Sequence, residues 1–125
     1  MTNVAIIRCE KNEARCPLTS CFKCLMSATE GFAGYQDPMP AGVFTCRCPG
    51  DNVARLGKIL KSKGADAIHF CTCTFAGKSE TGWKMENGGF CSHIDTLMEQ
   101  VHQATGLPCV KGTAHLPEGY VPVKL

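Results

Sequence analysis

Four short apolar runs punctuate the chain, Asn3 to Arg8, Ala41 to Thr45, Ala65 to Cys71 and Pro108 to Lys111, and each reads as a β-strand. The runs are almost continuously apolar, which is the pattern of strands covered on both faces. Helical patterns separate them. A weak first helix is expected over about Ser20 to Glu30. The second is clearer: Asp51 is placed to cap it, Val53, Leu56 and Leu60 form an inner stripe, Lys58, Lys61 and Lys63 sit near its negative end, and Gly64 closes it. In the third, Ser92 and Asp95 have capping-box spacing, Ile94, Leu97, Met98 and Val101 recur at helical intervals, and Gly106 follows. Strands alternating with helices predict right-handed crossovers and a parallel sheet. The expected fold is therefore α/β, a three-layer α/β/α sandwich with a short, mostly parallel sheet of the flavodoxin/Rossmann-like kind. Phe75 to Gly89 is left as a long polar loop holding the single tryptophan, Trp83.

A length of 125 residues suits one domain, expected over residues 1–125, and an apolar fraction of 44% is enough for a core without staples. The net charge of +2 is scattered along the chain, so no stripe for nucleic acid is visible. No secretory leader is evident at the N-terminus, and no apolar stretch approaches the roughly 20 residues that span a bilayer. A soluble, cytoplasmic protein with neither membrane nor nucleic acid as a partner is the expectation.

Cysteine changes that picture. There are ten in 125 residues, and in a reducing compartment such thiols serve as metal ligands or redox groups more often than as bridges. On the expected topology Cys9 follows the first strand, Cys46 and Cys48 the second, Cys71 and Cys73 the third, while Cys91 and His93 open the third helix. Cys16 and Cys21 lie in the loop and first turn after the first strand. All of these fall at the carboxyl edge of the sheet, where open α/β folds bind ligands, which points to one site. Cys24 and Cys109 fall inside a helix and a strand and read as small buried apolar groups. Three of the four arginines adjoin a cysteine, as Arg8-Cys9, Arg15-Cys16 and Cys46-Arg47-Cys48, and neighbouring guanidinium groups favour the thiolate that binds metal or attacks.

Several segments together resemble the CGGC domain, a small cysteine- and histidine-rich family. They are Ile6-Ile7-Arg8-Cys9, Cys16-Pro17, Cys21, Cys48-Pro49-Gly50, Gly64-Ala65-Asp66-Ala67-Ile68-His69, Cys73, Cys91-Ser92-His93-Ile94-Asp95 and Gly112-Thr113-Ala114-His115. The likeness extends over almost the whole chain. It departs at the naming motif, which here reads Thr45-Cys46-Arg47-Cys48-Pro49-Gly50, and at Ala114, which separates Thr113 from His115. The resemblance implies a metal site and supplies no reaction or substrate.

Sulfur-rich ligation disfavours magnesium and calcium and suits zinc, copper(I) or an iron–sulfur cluster, with zinc and iron–sulfur the two readings carried forward. Zinc takes four ligands and accepts mixed Cys/His sets. The first choice of ligands is Cys9, Cys48, Cys73 and Cys91, with Cys16, Cys21, Cys46, His93 and His115 in reserve or serving a second metal. The expected partners are the metal itself and, for a redox or sensing role, a redox protein. Two other chemistries remain open. Cys9 and Arg15 have the Cys-x5-Arg spacing of low-molecular-weight tyrosine phosphatases and arsenate reductases, although Glu10 and Glu13 within the loop repel an anion. Cys21 and Cys24 form a Cys-x-x-Cys at a helix start, a pattern used in thiol exchange. His69 reads as a hydrogen-bonded core residue or a supporting neighbour of a ligand, and His102 as a solvated helix residue.

Overall fold

The apolar runs become the parallel strands of one sheet. A computed structural model describes residues 1–125, with β1 (Thr2–Cys9), α1 (Thr19–Ser27), β2 (Pro38–Cys46), α2 (Val53–Ser62), β3 (Ala67–Phe70), β4 (Gly77–Ser79), β5 (Gly82–Lys84), α3 (Ile94–Thr105), β6 (Cys109–Lys111) and β7 (Val123–Lys124). The main sheet runs β2-β1-β3-β6-β7, with β1 parallel to β2 and β3, and β3 parallel to β6. Only β7, paired with β6 at the far edge, is antiparallel. The chain leaves β1 toward one side of the sheet and crosses back to β3 on the other, so the switch point lies at the carboxyl ends of β1 and β3.

The two faces are sorted by strand parity. Val4 and Ile6 face α1 and pack with Leu18, Leu25 and Phe32, whereas Ala5 and Ile7 face α2 and α3 and pack with Val53, Leu60, Leu97, Met98 and Val101. The α2–α3 contact is close because Gly57 carries no side chain: a Cβ there would lie 2.8 Å from Val101. No helix is long and apolar enough to cross a membrane.

Several local expectations need correction. β2 is an edge strand and stays partly exposed, which is why it accommodates Pro38 and Pro40, and Ala41 is skipped in its pairing with β1. The capping residues differ: Asn52 and His93 precede α2 and α3, and neither makes a side-chain cap. Ser92 Oγ turns to His93 Nδ1 (3.3 Å), and Asp95 pairs with Lys111 (2.9 Å). The long loop contains the β4–β5 hairpin, whose strands are too short to show an alternating pattern. His102 accepts no purely solvated role, because its Nδ1 lies 2.8 Å from the Leu107 carbonyl just past the end of α3.

His69 is fully buried on β3. Its Nδ1–H donates to the Gly112 carbonyl at 2.8 Å, which leaves Nε2 to accept from the Tyr35 hydroxyl at 2.7 Å. The ring is therefore neutral, and burial pushes its pKa down to about 4 from an ordinary 6.5. Between those values the unfolded chain binds a proton that the folded chain refuses, so stability falls as pH falls through that window. The expected loss is about 2 kcal/mol between pH 7.5 and pH 5. Urea unfolding at the two pH values checks it, with His69→Gln as the reference that lacks this slope.

Candidate metal centre and thiol cavity

The parity that sorts the core also sorts the cysteines. Cys9 continues the Ala5–Ile7 face, and its partner across the parallel register is Cys46. Neighbouring strands run about 4.8 Å apart, so the two thiols leave the sheet side by side. Cys48 lies two residues beyond Cys46, in the turn that enters α2, and the Cys48–Pro49 peptide is cis. Its N–H donates to the Glu10 carboxylate, which ties the loop after β2 to the loop after β1. Gly50, at φ +94°, lets this turn pass α3, since a Cβ there would lie 2.7 Å from Leu97.

Cys91 comes to the same place from the segment before α3. Its N–H donates to the Thr74 carbonyl (3.0 Å), and the Phe90 N–H donates to the Cys73 carbonyl (2.9 Å), so this segment is laid along the turn that follows β3. Cys9, Cys46, Cys48 and Cys91 line one small cavity of about 20 Å³, together with His93. The His93 Nε2–H donates to the Pro49 carbonyl (3.1 Å). Burial pushes the Cys9 thiol up, and the Cys48, Cys73 and Cys91 sulfurs add to that repulsion. Cys46 is pushed up to about 11, first by burial and then by Cys91, Cys9 and Cys48. In this arrangement no three Cys, His, Asp or Glu side chains converge closely enough to hold a metal ion.

Four further cysteines line a second cavity on the opposite, α1 side. It measures about 680 Å³, and Cys16, Cys21, Cys71 and Cys73 line it with Arg15, Trp83, Phe90 and His115. Cys21 stands in the first turn of α1, and its sulfur lies 3.2 Å from the Thr113 hydroxyl. Cys71 neighbours Cys21 and Cys73 in the wall of this cavity. The nearness of Cys71, helped by Thr113, the backbone at Ala114 and the Arg8 charge, brings Cys21 down to about 6 against the effect of burial. Cys73 is lowered by the same neighbour and by Asn12 and Arg8, while Cys71 is raised well above its ordinary value.

The carboxyl edge thus holds eight cysteines as two groups, separated by the sheet, where the strand scheme pointed to one. Of the first-choice ligands, Cys9, Cys48 and Cys91 line the small cavity, and Cys73 lines the large one; Cys46 takes its place. Cys16, Cys21 and His115 also belong to the large cavity, where the exposed His115 ring stacks on Trp83 with centroids 5.2 Å apart. Arg15 lines the large cavity and Cys9 the small one, so the Cys-x5-Arg segment does not enclose a common anion site. Arg47 forms an ion pair with Glu13 (3.0 Å) at the surface. Arg8 reaches back to the Asn12 and Cys16 carbonyls, and its buried Nε–H has no acceptor. Cys109 is fully buried in β6, and burial pushes it up to about 12, which makes it inert. Cys24 is half-buried against the α1-side core.

Cys71, which the strand scheme puts at the carboxyl edge but not among the ligands, lies directly after β3; its nearness to Cys21, fifty residues away in α1, depends on the crossover geometry.

The profile of the CGGC domain matches residues 3–114. An uncharacterized protein of Methanocaldococcus jannaschii is 40% identical over 119 residues, covering 88% of this chain and 84% of that protein. No solved structure matches.

Proposed function

The chain belongs to the CGGC domain family, and we propose that it is a metal-binding protein whose centre is built from Cys9, Cys46, Cys48 and Cys91. The observation that carries this reading is the shared cavity: four sulfur donors, from the end of β1, the end of β2 with the turn after it, and the segment before α3, border one space of about 20 Å³. Thiolates select zinc, copper(I) or iron–sulfur clusters over magnesium and calcium. A space about the size of one water suits a single ion better than a multi-iron cluster, which favours zinc. His93 borders the same space as an alternative donor, provided its bond to Pro49 is given up. The donor set fits zinc in kind and number.

When bound, the ion supplies a cross-link between the loops after β1 and β2 and the entry to α3. The chain's own part is to bring those loops together: Glu10 holds the Cys48 backbone, and the Thr74 carbonyl holds Cys91. Loading includes a closing movement of the four thiols, so metal binding and loop ordering are coupled. All ten cysteines are free thiols and so open to ligation.

The test is anaerobic purification followed by elemental analysis and a visible spectrum on one sample. One zinc per chain in a colourless solution is expected. Iron with acid-labile sulfide and broad absorption would replace zinc by a cluster, and the absence of any metal at a substantial fraction of the protein would overturn the metal reading.

A further inference from the structure

We infer that the large cavity on the α1 side is a separate thiol-exchange site, in which Cys21 and Cys71 reduce small disulfides that carry carboxylates. The inference does not rest on the metal centre, which uses other cysteines on the other side of the sheet.

Three observations carry it. First, Cys21 and Cys71 come from different elements to line one cavity, and the Thr113 hydroxyl bridges their surroundings: it lies 3.2 Å from the Cys21 sulfur and accepts the N–H of Thr72, the residue next to Cys71 (3.3 Å). Second, although both thiols are buried, they border a cavity of about 680 Å³, within the size range of small-molecule sites, and Cys21 is the more accessible of the two. Third, Arg15 and Lys78 line that cavity and no Asp or Glu does, while Trp83 and Phe90 give it an apolar wall. An anionic guest with an apolar body matches such a lining.

The roles follow from the surroundings of each sulfur. Cys21 lies at the positive end of α1, beside the Thr113 hydroxyl. That hydroxyl already accepts the Thr72 N–H (3.3 Å), so its own hydrogen is free to stabilise a sulfur anion. The half-buried Arg8 guanidinium adds positive charge. These features favour the thiolate at Cys21, as its lowered pKa of about 6 agrees, and keep Cys71 protonated as the second thiol.

In the reaction the Cys21 thiolate attacks one sulfur of the substrate. The substrate S–S bond breaks, a mixed disulfide forms on Cys21, and the first product leaves as a thiolate. Cys71 then attacks the Cys21 sulfur, and its proton goes to the second departing sulfur. The products are a Cys21–Cys71 disulfide, one thiolate and one thiol; the two protein sulfurs are oxidised by two electrons and the substrate is reduced by two. An external dithiol restores the starting state by the reverse exchange.

The test uses the full, metal-retaining chain with dithiodiglycolate as the anionic disulfide and cystamine as the cationic one, quenched in acid and mapped by peptide mass spectrometry. A Cys21–Cys71 link is expected in the wild type, with a reaction roughly tenfold faster for the anionic disulfide at low salt and a smaller preference at high salt. Cys71→Ser is expected to accumulate the mixed disulfide on Cys21, and Cys24→Ser to behave as wild type. The inference is overturned if the wild type yields a Cys21–Cys24 link or only a persistent adduct on Cys21. It is equally overturned if cystamine reacts as fast as dithiodiglycolate. Wild-type mapping decides the matter even if Cys71→Ser fails to fold.

Discussion

Replacing Cys91 with serine is expected to weaken zinc binding by about 100-fold or more, equivalent to about 2.8 kcal/mol at 25 °C. A hydroxyl is a much poorer ligand than a thiolate for a borderline-soft ion, and loss of merely an outer partner of a ligand already costs 10–100-fold. Cys91 is the sharpest choice among the four for a structural reason. It is half-buried and held through its backbone N–H, so serine keeps the Thr74 hydrogen bond and the packing of the segment while removing only the sulfur. Competition against a chromophoric chelator under anaerobic conditions measures the change, with circular dichroism of the unloaded protein as the check that the fold is intact. An affinity within about threefold of wild type would remove Cys91 from the centre.

Gly89→Ala is expected to lower stability by about 3 kcal/mol or more, among the largest effects of any single change outside the core. A Cβ at this position would lie 2.5 Å from the Thr74 carbonyl oxygen and closer still to the Phe75 nitrogen and the Thr74 carbonyl carbon. All three are backbone atoms of the turn after β3, so no side-chain rotation relieves the overlap. The two segments must separate, and the bonds from Phe90 to Cys73 and from Cys91 to Thr74 are lost with them. Because those bonds place Cys91, the same substitution is expected to weaken metal binding. Gly88 gives the contrast. It has open space around it but φ +67°, so alanine there meets only conformational strain of about 1 kcal/mol. Denaturant unfolding of both variants, side by side, tests the distinction.

The parts of the fold that are legible in the sequence are those fixed by local periodicity. Val4 to Ile7 and Ala67 to Phe70 are apolar at every position except His69, and such runs end as buried central strands. The stripe through Ile94, Leu97, Met98 and Val101 likewise gives α3. The parts that are not legible depend on geometry between distant segments. β7 is two residues long and polar in part, and only its pairing with β6 makes it a strand. The Asp51 and Ser92 caps have the right residue types, but α2 and α3 begin one residue later, after Asn52 and His93, and Ser92 Oγ turns to His93 Nδ1 instead.

The candidate site divides in the same way. That Cys9, Cys46, Cys48, Cys71, Cys73 and Cys91 reach the carboxyl edge follows from the strand and helix ends alone. Their assignment to sides of the sheet follows from strand parity in β1, where Cys9 takes the Ile7 side and Arg8 the Ile6 side. A one-residue change in strand length would reverse that assignment. Arg8 therefore serves Cys21 and Cys73, and not the adjacent Cys9 as the order of residues suggests. His115 adjoins the family-like Gly112-Thr113 segment, yet it stacks on Trp83 from the hairpin, an element whose three-residue strands leave no readable period.

The most direct test of the central claim is thiol protection, read residue by residue. The anaerobic protein, with and without one equivalent of zinc, is given a brief pulse of iodoacetamide and mapped by mass spectrometry. Zinc is expected to protect Cys9, Cys46, Cys48 and Cys91, most visibly the exposed Cys48, and to leave Cys16 and Cys21 reacting at the metal-free rate. Protection of Cys16, Cys21 and Cys73 with Cys48 still reactive would place the metal on the α1 side of the sheet and contradict the account.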